Sequence, residues 1–378
     1  MLKKTVTNLA AALILAVLAL SANVLAQNAL TTATNSRASQ TIVSSLSNLP
    51  DADELIYVSP HRVLTEAAPR VLPDAELAKM RADLSEVKKQ TGIDPANIDF
   101  IVFQVRFKKP TAELNFSLPE YLAVASGDFS AETILVLIRQ ASGGKLRDEK
   151  YGSRTISLLM IPEIAQEAQK NSFLKPLSEL AIATIGGNTI VAGTPAYVRA
   201  AMDAADGKGR INADILNSLM RDPTALISTA GSPMLAFAKT FALLGTENNP
   251  RTSRCDSKLG DFYAGITMDA TSFKLRGAMN ADNPDTAKII KSLLSSLLQQ
   301  ATSSIKDSQA QSVLSSLVIT PTETEVLLQA DISQQAVADF IREQAKPKKQ
   351  EVSKPVPPKP ATKSRHRTTR RRPAKSGV

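Results

Sequence analysis

Strand-like and helix-like patterns alternate along the middle of the chain. Segments such as FYAGITM and SFKLRGAM have apolar residues at every second position, which predicts strands with one covered face. Other segments, such as AKIIKSLLSSLL, have apolar residues spaced three and four apart, which predicts amphipathic helices. Strands with one polar face favour antiparallel pairing. The pattern therefore predicts an α+β fold built from strand-strand-helix units.

A polar residue joins strand to helix in five places, and proline follows it in three of them. The five predicted caps are Ser59, Ser130, Thr194, Asn283 and Ser333. A side-chain oxygen at this position accepts a hydrogen bond from an unpaired backbone N–H, which stabilises a helix by about 1 kcal/mol. Proline loses no hydrogen bond at the first helical position. These caps mark where the predicted helices begin.

The order of these units indicates an internal duplication. DELIYVSPHRVL resembles ALISTAGSPMLAF, and EYLAVASGDFSAETILVLI resembles SFKLRGAMNADNPDTAKIIKSLL further along. We therefore predict two similar halves, 49–207 and 208–345, each an antiparallel sheet with helices packed on one face. The first half is longer, mainly through residues 143–175. Coincidence is the alternative, because any α+β chain repeats strand, cap and helix.

Residues 1–26 have the pattern of a signal peptide. Two lysines precede a short apolar run, and a small-residue pattern suited to cleavage stands before Gln27. The run is shorter than the roughly 20 apolar residues of a membrane span. We predict export to the periplasm or the medium, with an uncleaved N-terminal anchor as the alternative. Residues 27–48, rich in Ser, Thr and Asn, are predicted to be a flexible leader.

The positive charge is concentrated in residues 346–378. This segment holds twelve Lys or Arg and one Glu, a net charge of +11, which leaves −4 for residues 27–345. Its Pro- and Lys-rich composition predicts a disordered tail. The candidate anion-binding residues are Arg365, Arg367, Arg370, Arg371 and Arg372.

The tail has no aromatic residue on which a base can stack. We expect sequence-independent binding to an anionic envelope polymer or a membrane surface, and no sequence-specific nucleic acid. A solvated spacer is the alternative, and the pattern names no protein partner.

Few residues are available for catalysis. The chain has two histidines and one cysteine, and His366 lies in the tail, so a zinc site of three or four such ligands is not expected. His61 follows Ser59 and Pro60 in a first helical turn, where the helix dipole disfavours a cation. S-x-x-K occurs in the chain, but without the S-D-N and K-T-G partners of a penicillin-type enzyme. We predict a non-enzymatic protein with no catalytic residue, metal or cofactor.

Two further alternatives remain open. The single cysteine, Cys255, either pairs between chains or is a small buried hydrophobe. A secreted hydrolase with a carboxylate-based site is the second hypothesis for function. Its candidate residues are Asp51, Asp53, Asp94, Asp99, Asp282 and Asp285. In such contexts Asp more often caps helices or opens turns, so convergence in one pocket would favour the enzyme and scatter would favour a binding protein.

LPDADELIYVSPHRVL, followed by KKQTGIDPANIDFIVF, resembles a pattern in exported bacterial proteins whose function is not established. The residues that carry the resemblance are Leu49, Pro50, Asp51, Tyr57, Thr91, Gly92, Ile93, Asp94 and Asp99. It covers about the first hundred residues of the body. The resemblance implies export and a repeated α+β architecture, and it brings no activity or site residues with it.

Overall fold

The structure, a computed structural model, describes residues 42–107, 119–162, 178–232, 259–304 and 308–345. Twelve strands of these residues form one antiparallel sheet. The strands are β1 Glu54–Val58, β2 Ile98–Phe107, β3 Pro119–Gly127, β4 Leu146–Tyr151, β5 Arg154–Met160, β6 Glu179–Thr184, β7 Thr189–Gly193, β8 Ile227–Gly231, β9 Leu259–Met268, β10 Ser272–Ala281, β11 Val318–Pro321 and β12 Glu325–Ser333.

The helices alternate with these strands along the chain. Helix α1 is continuous through Pro60–Arg62, a π-helical turn at Val63–Ala67, and Ala68–Val71. The others are α2 Asp74–Thr91, α3 Ala131–Ser142, α4 Pro195–Ala205, α5 Ala213–Leu219, α6 Pro284–Ser304, α7 Ser308–Ser315 and α8 Gln334–Ala345. Within the described ranges, no helix combines the length and the apolar character needed to cross a membrane.

The sheet order is β11-β12-β10-β9-β8-β1-β2-β3-β7-β6-β5-β4. Strands β1 and β8 pair at its middle, with Glu54 opposite Gly231 and Val58 opposite Ile227. Outward from this junction, the first predicted half contributes β1-β2-β3-β7-β6 and the second contributes β8-β9-β10-β12-β11. The β4–β5 hairpin extends the first side and lies within residues 143–175, the extra length of the first half.

The predicted α+β class is confirmed, but one detail of its layout differs. The two predicted halves form one continuous sheet, not a sheet each, because β1 and β8 pair edge to edge. The alternation of apolar and polar residues in a strand does not show which other strand will pair with its free backbone N–H and C=O groups. Ile211, Leu216, Leu219 and Ala230 join the same buried cluster as Leu55, so the core crosses the boundary predicted between residues 207 and 208.

The helices cover both faces of the sheet, which corrects the expectation of one covered face. We call face A the side that carries Leu55, Val102 and Leu122; α4 and α5 pack on it. Face B is the opposite side, covered by α1 and α8 through Phe273 and by α6 through Met279. Because the sheet is wide, helices cover face A over some strands and face B over others. The alternation within one strand does not show which face of a neighbouring strand is covered.

The two-halves repeat stays a prediction. Helices α3 and α6 occupy matching places in chain order, and both lie on face B. Helices α4 and α8 also occupy matching places, but α4 packs on face A and α8 packs on face B. A duplicated ancestor would account for the matching strand order of the two halves. The different positions of α4 and α8 do not fit a duplication.

The structure describes residues 42–48 of the predicted flexible leader, and these residues pack on the core. Residues 42–46 are helical, Leu46 is fully buried, and Ile42 packs against the same cluster. Ile42 and Leu46 are four residues apart and share one face of this helix, and the buried Leu49 follows in the turn after it. This apolar stripe anchors the segment in spite of its Ser- and Thr-rich composition.

Three of the five predicted caps hold their helices by side-chain hydrogen bonds. Ser130, Asn283 and Ser333 each accept from the backbone N–H three residues later, at distances of 2.9–3.2 Å. Ser59 and Thr194 stand at helix starts without such a bond. Their hydroxyls instead donate to carbonyls of neighbouring strands, at 3.4 and 3.5 Å. Both residues precede proline at the start of a helix. Because their hydroxyls bond to strand carbonyls, they fasten the starts of these helices to the sheet.

Candidate functional site

A cluster of polar side chains lies on face A where β2 ends and β3 begins. The strand register pairs Arg106 with Glu120, which places both side chains on the same face. Arg106 donates to Glu120 Oε2 from Nη2 at 2.6 Å and from Nε at 3.1 Å. The guanidinium carbon of Arg106 lies 4.3 Å from the ring centroid of Tyr197, which projects from α4. We call these three residues the Arg106 cluster.

The Tyr197 ring connects the N-terminal segment to this cluster. Its hydroxyl donates to the Asp51 carbonyl oxygen at 2.9 Å, and the residue is fully buried. Burial raises the pKa of Tyr197 far above its usual range; the charge of Arg106 lowers the pKa, and Asp51 and Asp53 raise it. The hydroxyl therefore stays protonated and acts as a hydrogen-bond donor, not as a base.

Two neighbouring side chains complete the polar region. Asp53 Oδ2 accepts from the Phe107 N–H at 2.7 Å, which closes the end of β2 onto the start of β1. Gln104 is almost fully buried and donates to the Pro50 carbonyl at 3.4 Å, while its Oε1 has no hydrogen-bond partner among the described residues. Most of these polar atoms are engaged by the protein itself. The arrangement fastens residues 50–53 and α4 to the sheet.

A second arginine-tyrosine stack lies further along face A. The Arg221 guanidinium carbon is 4.3 Å from the Tyr263 ring centroid, and Arg221 Nη1 is 3.5 Å from Glu325 Oε1. Burial raises the pKa of the Tyr263 hydroxyl. The recurrence of an arginine between a tyrosine face and a glutamate indicates a packing device, because each arginine ties separate elements together.

The six carboxylates of the hydrolase hypothesis do not converge. Asp51 and Asp53 precede β1, whereas Asp94 and Asp99 lie at the opposite end of β2. Asp282 follows β10, which is separated from β1 by two strands and therefore by about 14 Å.

Most of these carboxylates have structural roles. Asp94 pairs with Lys88 at 2.8 Å and accepts from Ala96 N at 3.0 Å, and these contacts lower its pKa. Asp285 pairs with exposed Lys288 at 2.9 Å. Burial raises the pKa of Asp99, although nearby His61 opposes that shift. These six carboxylates therefore do not form one pocket.

His61 holds α1 against the turn that precedes β2. Its Nδ1 lies 2.7 Å from the Ala96 carbonyl oxygen. The neighbouring Ser59 hydroxyl donates to Asp99 O at 3.4 Å, so it is directed at the backbone and not at the imidazole. In the part of the chain that the structure describes, no three His, Cys, Asp or Glu side chains gather into a possible metal site.

Two shallow grooves open to solvent on face B. One, of about 540 Å³, lies between α6, α7 and β11 and is lined by Leu298, Leu317 and Ile319 with several Ser, Thr and Gln side chains. The other, of about 500 Å³, lies beside α3. In it Arg139 pairs with Asp148 at 2.9 Å. Hydrogen bonds from Ser157 and then Arg139 lower the Asp148 pKa.

The anion-binding residues predicted from the sequence lie outside the described residues. They are Arg365, Arg367, Arg370, Arg371 and Arg372. Cys255 and the predicted signal peptide also lie outside them. The structure thus leaves the tail and the cleavage site as predictions.

Comparison with known proteins adds little at this point. No family model matches the chain, and no curated protein matches it. Among solved structures, the chain is similar to TP0453 in crystal form III, with a TM-score of 0.43, 11% identity, and coverage of 79% of this chain and 97% of that chain. For crystal form I the TM-score is 0.40, with 10% identity and coverage of 79% and 96%. At this distance the likeness bears on neither function nor ligand.

Proposed function

We propose that the protein is an exported, non-enzymatic binding protein whose C-terminal tail attaches it to an anionic surface or polymer. The observation that carries the proposal is the division of charge. Residues 346–378 sum to +11 and residues 27–345 sum to −4, so the two parts of the mature chain have opposite signs. A cationic segment on a weakly acidic body is attracted to polyanions while the body is not.

Three further observations support this proposal. The N-terminal residues have the three-part pattern of a signal peptide. The Arg106 cluster is engaged in internal hydrogen bonds and ion pairs. The carboxylates that would serve a hydrolase lie at opposite ends of the sheet. These features are consistent with a folded body without a catalytic site and a tail that binds the anionic surface or polymer.

The test compares the full chain with a chain that ends at residue 345. Binding to duplex DNA and to vesicles of anionic lipid is measured at several salt concentrations. If six of the twelve tail cations engage phosphates, affinity for the duplex falls about a thousandfold between 50 and 200 mM salt. Preference for vesicles over the duplex at equal phosphate would identify a lipid surface as the target, and the reverse would identify a polymer.

Matched tail variants separate charge from other tail properties. Replacing the five tail arginines by lysine keeps the charge and is expected to keep the salt slope. Replacing them by glutamine removes five charges and is expected to lower the slope by about 4 to 5, if all five contact phosphate. Binding that survives removal of residues 346–378 would place the anion site on the body and overturn the proposal.

A further inference from the structure

The groove of about 500 Å³ beside α3 is bounded by the β4–β5 hairpin, and we call it the hairpin groove. The hairpin supplies to its lining Asp148, Lys150, Arg154 and Thr155. Of these, Arg154 is already engaged by an ion pair with Asp206 at 2.6 Å. Among the described strands, the second predicted half ends at β11 and has no hairpin in this position. The hairpin that lengthens the first half therefore also builds a groove of a size that suits a small organic ligand.

The sheet presents polar side chains to α3 in the hairpin groove. Asp148 pairs with Ser157 and Lys150 pairs with Thr155, so these four side chains share face B. At the matching place in the second half, α6 packs on apolar Met279 of the same face. Polar groups beneath a helix cost free energy unless they find hydrogen-bond partners. The hairpin groove thus differs from the apolar packing of α6, and its polar groups need partners.

Two cations in the hairpin groove keep hydrogen-bond donors that no described residue uses. Arg139 Nη2 donates to Asp148 Oδ2 at 2.9 Å and to Ser157 Oγ at 3.4 Å, which leaves Nε and Nη1. Lys150 Nζ donates to Thr155 Oγ1 at 2.9 Å and forms no ion pair with a described residue. Both groups can donate to a further acceptor. A phosphate offers them negative charge and several acceptor oxygens.

The hairpin groove also holds acceptors for hydroxyl groups. Glu132 lines it from the first turn of α3, and its exposed carboxylate bonds to no described residue. Thr184 lines it from the end of β6, and its hydroxyl likewise bonds to none of them. A carboxylate accepts hydrogen bonds, and a hydroxyl both accepts and donates them. The carboxylates of Glu132 and Asp148 also repel the neighbouring phosphates of a polyanion, so the groove suits a small ligand.

We propose that the hairpin groove binds a small phosphate ester that carries hydroxyl groups, such as glycerol phosphate. Arg139 and Lys150 bind the phosphate, and Glu132 and Thr184 bind the hydroxyls. Asp148 positions Arg139, because their ion pair holds the guanidinium beside the polar row of the sheet. The groove has no aromatic residue in its lining, so recognition depends on charge and hydrogen bonds and not on stacking.

Calorimetric titration of the full-length chain with glycerol phosphate tests this assignment. One molecule is expected to bind in the groove, more tightly than inorganic phosphate, while glycerol alone is expected not to bind. Lys150→Gln and Arg139→Gln are each expected to weaken binding about tenfold or more, because each removes a hydrogen bond between charged groups. Lys291→Gln changes an exposed lysine of α6, toward the other end of the sheet, and is the matched control that should leave the affinity unchanged.

Glu132→Ala tests the hydroxyl side of the hairpin groove separately. The substitution removes an acceptor for a ligand hydroxyl and also a negative charge near the phosphate. The ratio of the affinity for glycerol phosphate to the affinity for inorganic phosphate is therefore expected to fall severalfold. A purely electrostatic role of Glu132 would raise both affinities by the same factor and leave this ratio unchanged, which would contradict the assignment.

Three results would overturn the proposal. They are no saturable binding at millimolar glycerol phosphate, equal affinities of Lys150→Gln and Lys291→Gln, and binding of inorganic phosphate as tight as that of the ester. Urea unfolding of each variant checks that it folds like the parent chain. Lys150→Arg keeps the charge and is expected to retain binding, which separates the loss of a cation from a general change in the hairpin.

Vesicles of phosphatidylglycerol carry the same chemical group as a lipid head group, and they identify its source. Weaker attachment of Lys150→Gln than of Lys291→Gln to these vesicles would assign the groove to the lipid. Equal attachment of the two variants, with the loss of glycerol phosphate binding confined to Lys150→Gln, would assign it to a free ester. The tail is the same in both variants, so the outcome for the groove and the outcome for attachment by the tail are independent.

Discussion

Replacing Tyr197 by phenylalanine is expected to lower the free energy of unfolding by about 1.5 kcal/mol. The substitution keeps the buried ring and its contact with Arg106, and it removes the hydroxyl that donates to Asp51 O at 2.9 Å. A buried hydrogen bond contributes about 0.5–1.5 kcal/mol, and a carbonyl left without its partner adds a desolvation cost. Replacing Tyr197 by leucine also removes the cation–π contact, so its total is expected to reach about 3 kcal/mol.

Urea unfolding followed by circular dichroism measures these differences. With a slope of about 3 kcal/mol per M, Tyr197→Phe moves the midpoint by about 0.5 M. Tyr151→Phe is the matched control, because its hydroxyl also donates at 2.9 Å, to Asp203, but the residue is only half-buried. The control is expected to change stability by less than about 0.5 kcal/mol. Equal effects of Tyr197→Phe and Tyr151→Phe would refute the view that the Arg106 cluster fastens residues 50–53.

Three further predictions follow from the described contacts. Gly193→Ala is expected to destabilise the protein by more than about 2 kcal/mol, because a Cβ there would overlap the Tyr121 carbonyl oxygen of β3. Gly187→Ala meets nothing within 4 Å and should be nearly neutral in the same urea assay. Asp269 has its pKa lowered by hydrogen bonds from Thr271 and then from the Lys274 side chain. The stability that ionised Asp269 contributes is therefore present above the ordinary Asp pKa and lost as the pH falls through the folded pKa. Asp269→Asn is expected to make the free energy of unfolding depend less on pH below about pH 4. The repeat predicts that residues 53–206 superpose on 222–344 in the same strand and helix order, and a crystal structure in which α3 and α6 pack on non-equivalent strands would reject it.

The spacing of apolar and polar residues along the chain predicted most of the strands and helices. The alternation in β9 and β10 depends on which side chains face the core, and the structure buries Phe273, Met279 and Met268 as the pattern requires. The caps at Ser130 and Asn283 were also predictable, because a cap satisfies backbone groups of its own helix. Such features depend on residues a few positions apart.

Pairing between distant segments was not predictable in the same way. The β1–β8 junction and the placement of helices on both faces depend on contacts between residues far apart in sequence. The Arg106 cluster was missed for the same reason, since Tyr197 and Asp51 meet only in the folded chain. One signal was present: Gln104 and Arg106 continue the alternation of Phe100 and Val102 with polar residues on the core-facing side.

The pairing of β1 with β8 has a consequence for the order in which the chain folds. Val58 meets Ile227, which follows it by 169 residues. Synthesis at about 5–20 residues per second separates the two strands by roughly 8 to 34 s. During that interval β1 can pair with β2 while its other edge has no permanent neighbour, and open edges invite pairing with other chains. Keeping the chain unfolded until its C-terminal half has been synthesised would therefore reduce pairing of β1 with other chains.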